Sequence, residues 1–366
     1  MKNSFALQKV LIVSAIAVAV AIVSVLLFIG FDSKATLKVG LVLTGTTTDS
    51  GWNESHYNGV VSACKELGTE LIVKENIAEG TGDCEQAVHD LAKKGVKMII
   101  LSSYSYPGEV KSVIESYPHI AFYGISSDYS SENMTSYFGR MYQARYLAGI
   151  IAGMQTKTNS IGYVAAMPNS EVNRGINAFA LGVKSVNPDA TVYVRWSNSW
   201  DDDKSEISCT EKLINDKKAD VMTYHQNRHN VAITADKAGV FSIGYNQSAE
   251  GLSDKYLTAA VWDWESLYYQ IIREYVQGKP NTVKQRWLAI SSGAVSLTQL
   301  SPAVSEETVK AYNTAKNELM STDNIFAGVI YDNNGVKRCD SGERLSDDTL
   351  LTAMDWYVDG VVIYED

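Results

Sequence analysis

The sequence predicts an α/β chain of two lobes, each a parallel sheet with helices on both faces, behind an N-terminal membrane segment. Three observations predict it. From Lys38 onward, short apolar runs of strand length alternate with helical patterns. Near Gly139 the alternation starts again, with no long linker and no low-complexity stretch between the two series. The chain has 366 residues, 45% hydrophobic and 20% charged, with 26 Gly and only 6 Pro, which suits two globular domains rather than disorder. Strands read as continuous apolar runs, the pattern of a sheet buried on both faces.

The elements follow in order. Lys2 and Lys9 precede an uncharged run, Val10 to Phe31, long enough to span a bilayer. Basic residues before it place the N-terminus in the cytoplasm and the rest outside. The run exceeds the roughly 7–15 apolar residues of a cleaved signal peptide. Residues 1–36 therefore read as an uncleaved signal anchor in preference to a peptide cut after Ala35, and no Cys follows to carry a lipid. "LKVGLVL" is the first strand. "SHYNGVVSACKELG" is a helix with Tyr57, Val60, Val61, Cys64 and Leu67 on its apolar face and Gly68 as its stop. "TELIVKE", "VKMIILSS" and "HIAFYGI" are further strands, separated by helices over "GDCEQAVHDLAKKG" and "PGEVKSVIESYP"; "TSYFGR" is a short fifth strand. The second series runs helix "ARYLAGIIAGMQ", strand "SIGYVAAM", helix "EVNRGINAFALGVKSVNP", strand "ATVYVRWS", helix "KSEISCTEKLINDKKA", strand "DVMTYH", helix "NVAITADKAG", strand "VFSIGYN". The expected division is residues 37–138 with 262–285 in the first lobe and 139–261 with 286–366 in the second. A hinge is expected near Phe138, Ala260 and Arg286.

Composition excludes some functions. Net charge is −10 and no Lys/Arg cluster exceeds two residues, so nucleic acid is not an expected partner. Cys64, Cys84, Cys209 and Cys339 allow three pairings, Cys64 with Cys84 being near in sequence, and equally four separate buried thiols. No P-loop, G-x-G-x-x-G or G-x-S-x-G motif is present. Asp201, Asp202 and Asp203 read as the acidic start of a helix rather than a metal site. His225 and His229 have zinc spacing but straddle a strand end and a loop. His56 and His89 fall on polar helix faces. No enzyme, metal or cofactor is expected.

In open α/β sheets ligands sit beyond the carboxyl ends of the strands. Those positions hold Asp49, Trp52 and Asn53 after the first strand and Ser103 and Tyr104 after the third. Asp128 follows the fourth, and Arg140 lies at a crossing. In the second series they hold Met167, Asn169 and Glu171, then Trp200, then His225 and Gln226, then Asn246. Trp262, Asp263 and Trp264 end the strand in "TAAVWDWESLYY". Aromatic plates beside amides and carboxylates are what a small planar ligand needs.

These residues carry a resemblance. "DSGWNESHYNGV" looks like the D-x-S-F-N opening of the basic membrane protein family, the purine-nucleoside receptor-like binding proteins, with Trp52 in place of Phe. "SYFGRMYQARYLAGIIAG", "NSWDDDKSE", "SIGYN" and "NIFAGVIYDNNG" are similar to later segments of that family, and the likeness runs from Lys38 to the C-terminus. The resemblance implies a two-lobed type I periplasmic-binding-protein fold and an extracytoplasmic receptor that hands a purine base or nucleoside to an ABC-transporter permease; a monomer is expected. It places Trp52 at the stacking position and Asn53 as a base-contacting amide, and Trp200 matches the aromatic of its second-lobe motif. Asn246 stands where nucleoside binders of the family often carry Asp, which favours a free base over ribose binding. Rival readings are a tethered sensor for a sugar or other small ligand and a nucleoside-processing hydrolase. The lobes are expected to close on the ligand about the hinge.

Overall fold

Apolar four- to six-residue runs become the strands of two parallel sheets. The structure, a computed structural model, describes residues 36–49, 51–127 and 129–365. The expected membrane run 10–31 and Asp128 lie outside the described residues; among those described, no helix is long and apolar enough to cross a membrane. In the first series β1 (Lys38–Val42), β2 (Glu70–Lys74), β3 (Met98–Leu101), β4 (Ala121–Ile125) and β5 (Met134–Gly139) alternate with α1 (Trp52–Leu67), α2 (Asp83–Lys93), α3 (Tyr106–Glu109) and α4 (Lys111–Ser116). The second series is α5 (Met141–Gln155), β6 (Ser160–Ala165), α6 (Ser170–Val186), β7 (Thr191–Trp196), α7 (Asp203–Lys217), β8 (Val221–His225), α8 (Asn230–Lys237), β9 (Phe241–Asn246) and β10 (Tyr256–Trp262). There follow α9 (Trp264–Val276), β11 (Gln285–Leu288), β12 (Val295–Leu297), α10 (Glu306–Leu319), β13 (Ile330–Tyr331), β14 (Lys337–Cys339), α11 (Asp347–Thr352) and β15 (Val361–Ile363).

The first sheet has the order β11-β5-β4-β3-β1-β2 and the second β12-β10-β9-β8-β6-β7-β15. Their pairings are parallel except β10 with β12. Both sheets are wound alike: β1 lies between β2 and β3, and β6 between β7 and β8. Each therefore has a switch point where successive connections diverge, at β1/β3 and at β6/β8. Residues Lys38–Asp366 form one compact unit. The chain passes between the sheets three times: after Gly139, after Trp262, and between Leu288 and Val295.

Capping fixes the helix starts that face the sheets' carboxyl ends. Asn169 Oδ1 accepts from Val172 N at 3.0 Å to start α6. Asp202 Oδ1 accepts from Lys204 N and Ser205 N to start α7, the expected use of this acidic run. Gly68, with φ 65°, ends α1 in the left-handed region.

The structure departs from the sequence reading at three places. The expected boundary at 285/286 falls inside β11, whose residues Gln285–Leu288 pair with Ser136–Gly139 of the first sheet. The buried face of α1 is Asn53, His56, Gly59, Val60, Ala63 and Cys64, rotated from the apolar stripe, with Tyr57 and Val61 only half-buried. The cause is α9, which packs on α1 so closely that a Cβ on Gly59 would lie 2.7 Å from Trp264 Cβ. His56, expected on a polar face, is thereby fully buried. The four cysteines are all free and buried, which agrees with the separate-thiol alternative of the sequence reading.

Candidate functional site

A cleft of about 910 Å³ lies beyond the carboxyl ends of both sheets. The first sheet contributes Tyr104 and Ser105 after β3, Ser126 and Ser127 after β4, Phe138 at the end of β5, and Gln285 to Trp287 of β11. The second contributes Asn169, Ser170, Glu171 and Arg174 at the start of α6, and Trp200 after β7. Helix α11 adds Asp348, Leu351 and Thr352. Four aromatic rings (Tyr104, Phe138, Trp200, Trp287) thus share a space with hydroxyls and amides, a composition suited to a small polar ligand with a flat face.

Of the residues singled out by sequence, Tyr104, Asn169, Glu171 and Trp200 line this cleft. The others fall into three groups. Asp49 and Asn53 build the start of α1. The Asp49 carboxylate accepts from the backbone N–H groups of Gly51, Asn53 and Glu54, and from Asn53 Nδ2 at 2.8 Å. Burial opposes its ionisation, but the Asn53 amide and these N–H groups outweigh it and hold its pKa below the usual carboxylate value. Asn53 Oδ1 accepts from Thr44 Oγ1 at 3.1 Å, so its amide is engaged at both ends. Ser103 donates to Glu79. Asp263 caps α9 by accepting from Ser266 N and Oγ. Arg140 is held by a bidentate pairing with Asp347.

The second group is an aromatic cluster at the crossings. Trp52 is half-buried; its indole N–H donates to Ser102 O at 2.9 Å and its ring meets those of His56 and Trp264 edge-on. Trp264 stacks on Trp262 at 4.8 Å, and Trp262 meets Phe138 at 4.6 Å. His56 bonds the Tyr268 hydroxyl, which bonds that of Tyr137 at 2.8 Å. Across this region Gln247 Nε2 donates to Gly51 O at 2.8 Å, joining the loop after β9 to the start of α1.

The third group sits behind the second-lobe wall. His225 is 2% exposed, and neither ring nitrogen has a hydrogen-bond partner among the described residues. Its ring lies 5.7 Å from Trp200 and 4.2 Å from Tyr245. Burial, with Arg145 and Arg174 adding to it, keeps the imidazole neutral by holding its pKa well below 6.5. Gln226 Oε1 and Asn246 Oδ1 are likewise buried without partners, and Asn246 is held at φ 68°. A native fold leaves few such groups. A neutral imidazole offers one donor and one acceptor, and the two amide oxygens accept. Glu171 and Arg174 sit together at the cleft, where burial raises the carboxyl pKa and lowers the guanidinium one. Among the described residues, no cluster of His, Cys, Asp or Glu could hold a metal.

Buried histidines make stability pH-dependent. Burial lowers the pKa of His56 from 6.5 to about 3, and His225 and His229 shift the same way for the same reason. Between pH 6.5 and 3 the unfolded chain binds more protons than the folded one. Stability is therefore full above 6.5 and falls as pH drops through this window, by about 1.4 kcal/mol per pH unit for His56, with His225 and His229 acting in the same direction. Thermal unfolding is expected to show a falling Tm from pH 6.5 to 4, and His56→Gln should remove one group's share of the slope. An unchanged slope in that variant would contradict the assignment.

Sequence reasoning missed Arg174, Trp287 and Leu351. Arg174 lies on a helix whose apolar periodicity dominates its pattern, and Trp287 and Leu351 are in segments too short for a periodicity signal.

The model of the Bmp family, described as ABC transporter substrate-binding protein, PnrA-like, matches residues 36–327. A purine-binding protein of Brucella abortus is 30% identical over 332 residues, covering 90% of this chain and 94% of the relative. A putative ABC transporter glucose-binding protein of Haloferax volcanii is 31% identical over 334 residues, covering 91% and 82%. Among solved structures, a transcriptional activator of the comK gene from Bacillus halodurans superposes with TM-score 0.71 at 22% identity, covering 78% of this chain and 98% of that one. A solute-binding protein of an ABC transporter system from Conexibacter woesei superposes with TM-score 0.66 at 18% identity, covering 79% and 99%. These likenesses establish the two-lobed periplasmic-binding-protein-like fold that the sequence resemblance implied.

Proposed function

The chain belongs to the Bmp family of PnrA-like ABC-transporter substrate-binding proteins, and on that premise we propose that it captures a purine nucleobase or nucleoside between its lobes and delivers it to a permease outside the cytoplasm. Members of this family bind small-molecule ligands and work with ABC transporters; they are not enzymes. The observation that carries the purine reading is the pairing of Trp200, an aromatic face at the cleft, with the neutral imidazole of His225 behind it at 5.7 Å, both of whose ring nitrogens lack partners among the described residues. Stacking holds a flat ring, and uncharged donors and acceptors read its edge. The relative named as purine-binding, alike over 90% of the chain, supports the same ligand class. Anchoring through residues 10–31 is part of the proposal.

A second reading is a sugar. The relative named as glucose-binding is similarly alike, and Ser105, Ser126, Ser127 and Ser130 bring hydroxyls to the cleft. A thermal-shift panel of purines, nucleosides, pyrimidines, glucose and amino acids separates the two. A purine at 100 times its Kd stabilises by about 2.7 kcal/mol, expected as a Tm rise of roughly 5–10 °C with a change in tryptophan fluorescence. A response to glucose alone would select the second reading.

A further inference from the structure

The family match ends at residue 327, yet the chain beyond it reaches the cleft. After the hairpin of β13 and β14, a strap of residues 346–358 crosses helix α6 and presents Asp348, Leu351 and Thr352 to the cavity. Three side chains of α6, each under 5% exposed, hold it there. Asn173 Nδ2 donates to Met354 O at 2.8 Å, and Arg174 Nη1 to Leu350 O at 2.6 Å. Asn177 donates to Trp356 O and accepts from Val358 N, both at 2.9 Å. Such a set of buried bonds fixes a backbone path closely.

The strap also reaches the first crossing. Asp347 takes the Arg140 guanidinium in a bidentate pairing, with Nη1 to Oδ1 at 2.9 Å. Arg140 Nε donates to Trp287 O at 3.2 Å, and its backbone N–H to Leu288 O at 2.7 Å. The Arg140 guanidinium lies 4.2 Å from the Trp287 ring centre, and that of Arg174 4.9 Å from it. Trp287, a cleft-lining residue of the first sheet, is thus gripped by two arginines. The strap holds both, one through Asp347 and one through the Leu350 carbonyl. Planar guanidinium over indole is a favourable contact, and Lys does not reproduce it.

We propose that Asp347 is a positioning residue for the cleft: through Arg140 it holds Trp287 against the second lobe, so that the C-terminal strap governs how the cleft is presented to its ligand. The proposal rests on reading this cleft as the ligand site, and not on which ligand fills it. Releasing the grip lowers the fraction of molecules with the cleft assembled, and apparent affinity falls with that fraction.

The test uses the full chain in detergent micelles, compared with Asp347→Asn, Asp347→Glu and Arg140→Lys. Hydrogen exchange without ligand is expected to quicken at Gln285–Leu288 by about fivefold or more in Asp347→Asn and Arg140→Lys, with Asp347→Glu within twofold of the parent. Adenosine affinity is expected to fall roughly 3- to 10-fold in the first two variants and recover in Asp347→Glu. Exchange unchanged at 285–288 in Asp347→Asn, while it rises at 346–352, would overturn the proposal by showing that the strap merely covers α6. A chain that binds no purine but shows the expected exchange response would overturn the purine reading alone.

Discussion

Alanine at Trp200 is expected to weaken purine binding by roughly 5- to 150-fold, the loss of about 1–3 kcal/mol of base stacking, while Tm falls by less than about 3 °C. The residue sits in the loop after β7, half-buried, with its ring at the cleft and 5.7 Å from His225. Trp200→Phe, which keeps a flat face, should recover most of the affinity. Trp52 makes the informative contrast. Its indole N–H is bonded to Ser102 O, and its ring packs on His56 and Trp264. Trp52→Ala therefore removes structure as well as surface and should lower Tm by more than Trp200→Ala does. Calorimetric titration with adenine and guanosine reads the affinity. Binding by Trp200→Ala within twofold of the parent would remove this residue from the site.

The largest expected loss of stability is at Gly182. Helices α5 and α6 cross with their backbones nearly touching. A Cβ on Gly182 would stand 2.0 Å from Tyr146 O, and one on Gly149 would stand 2.0 Å from Phe179 O. Both obstructions are backbone, so no side chain can swing away, and the helices must part. Overpacking of this kind costs about 3 kcal/mol or more, or a Tm drop of roughly 6–12 °C for lobes of this size. The effect reaches function because α5 carries Arg145 and α6 carries Glu171 and Arg174. Gly182→Ala unfolding within 2 °C of the parent would show that the helices separate more easily than their contact implies.

Most of the sheet framework is legible in the sequence because a strand buried on both faces has no polar positions to blur it. "MIIL" of β3 and "AFYGI" of β4 are fully buried and were readable as strands at once. The direction of the site was legible too, since the carboxyl ends of parallel strands face the cleft. What failed was anything set by a distant partner. The α1 stripe pointed Tyr57 and Val61 inward, but α9, more than 200 positions later, docks on Gly59 and turns His56 in instead. Arg140 at a crossing could have served either a ligand or an ion pair, and only the fold brings Asp347 to it. Trp287 and the strap were invisible because three- to six-residue elements show no period, and because their anchors are single buried polar residues on another helix.

We propose the cleft between the two sheets as a purine site. Isothermal titration of the chain with adenine and guanosine, each with and without saturating glucose, tests it most directly. A saturable purine isotherm that glucose leaves unchanged is the expected result. Saturable binding of glucose, with no purine heat up to millimolar concentration, would contradict it.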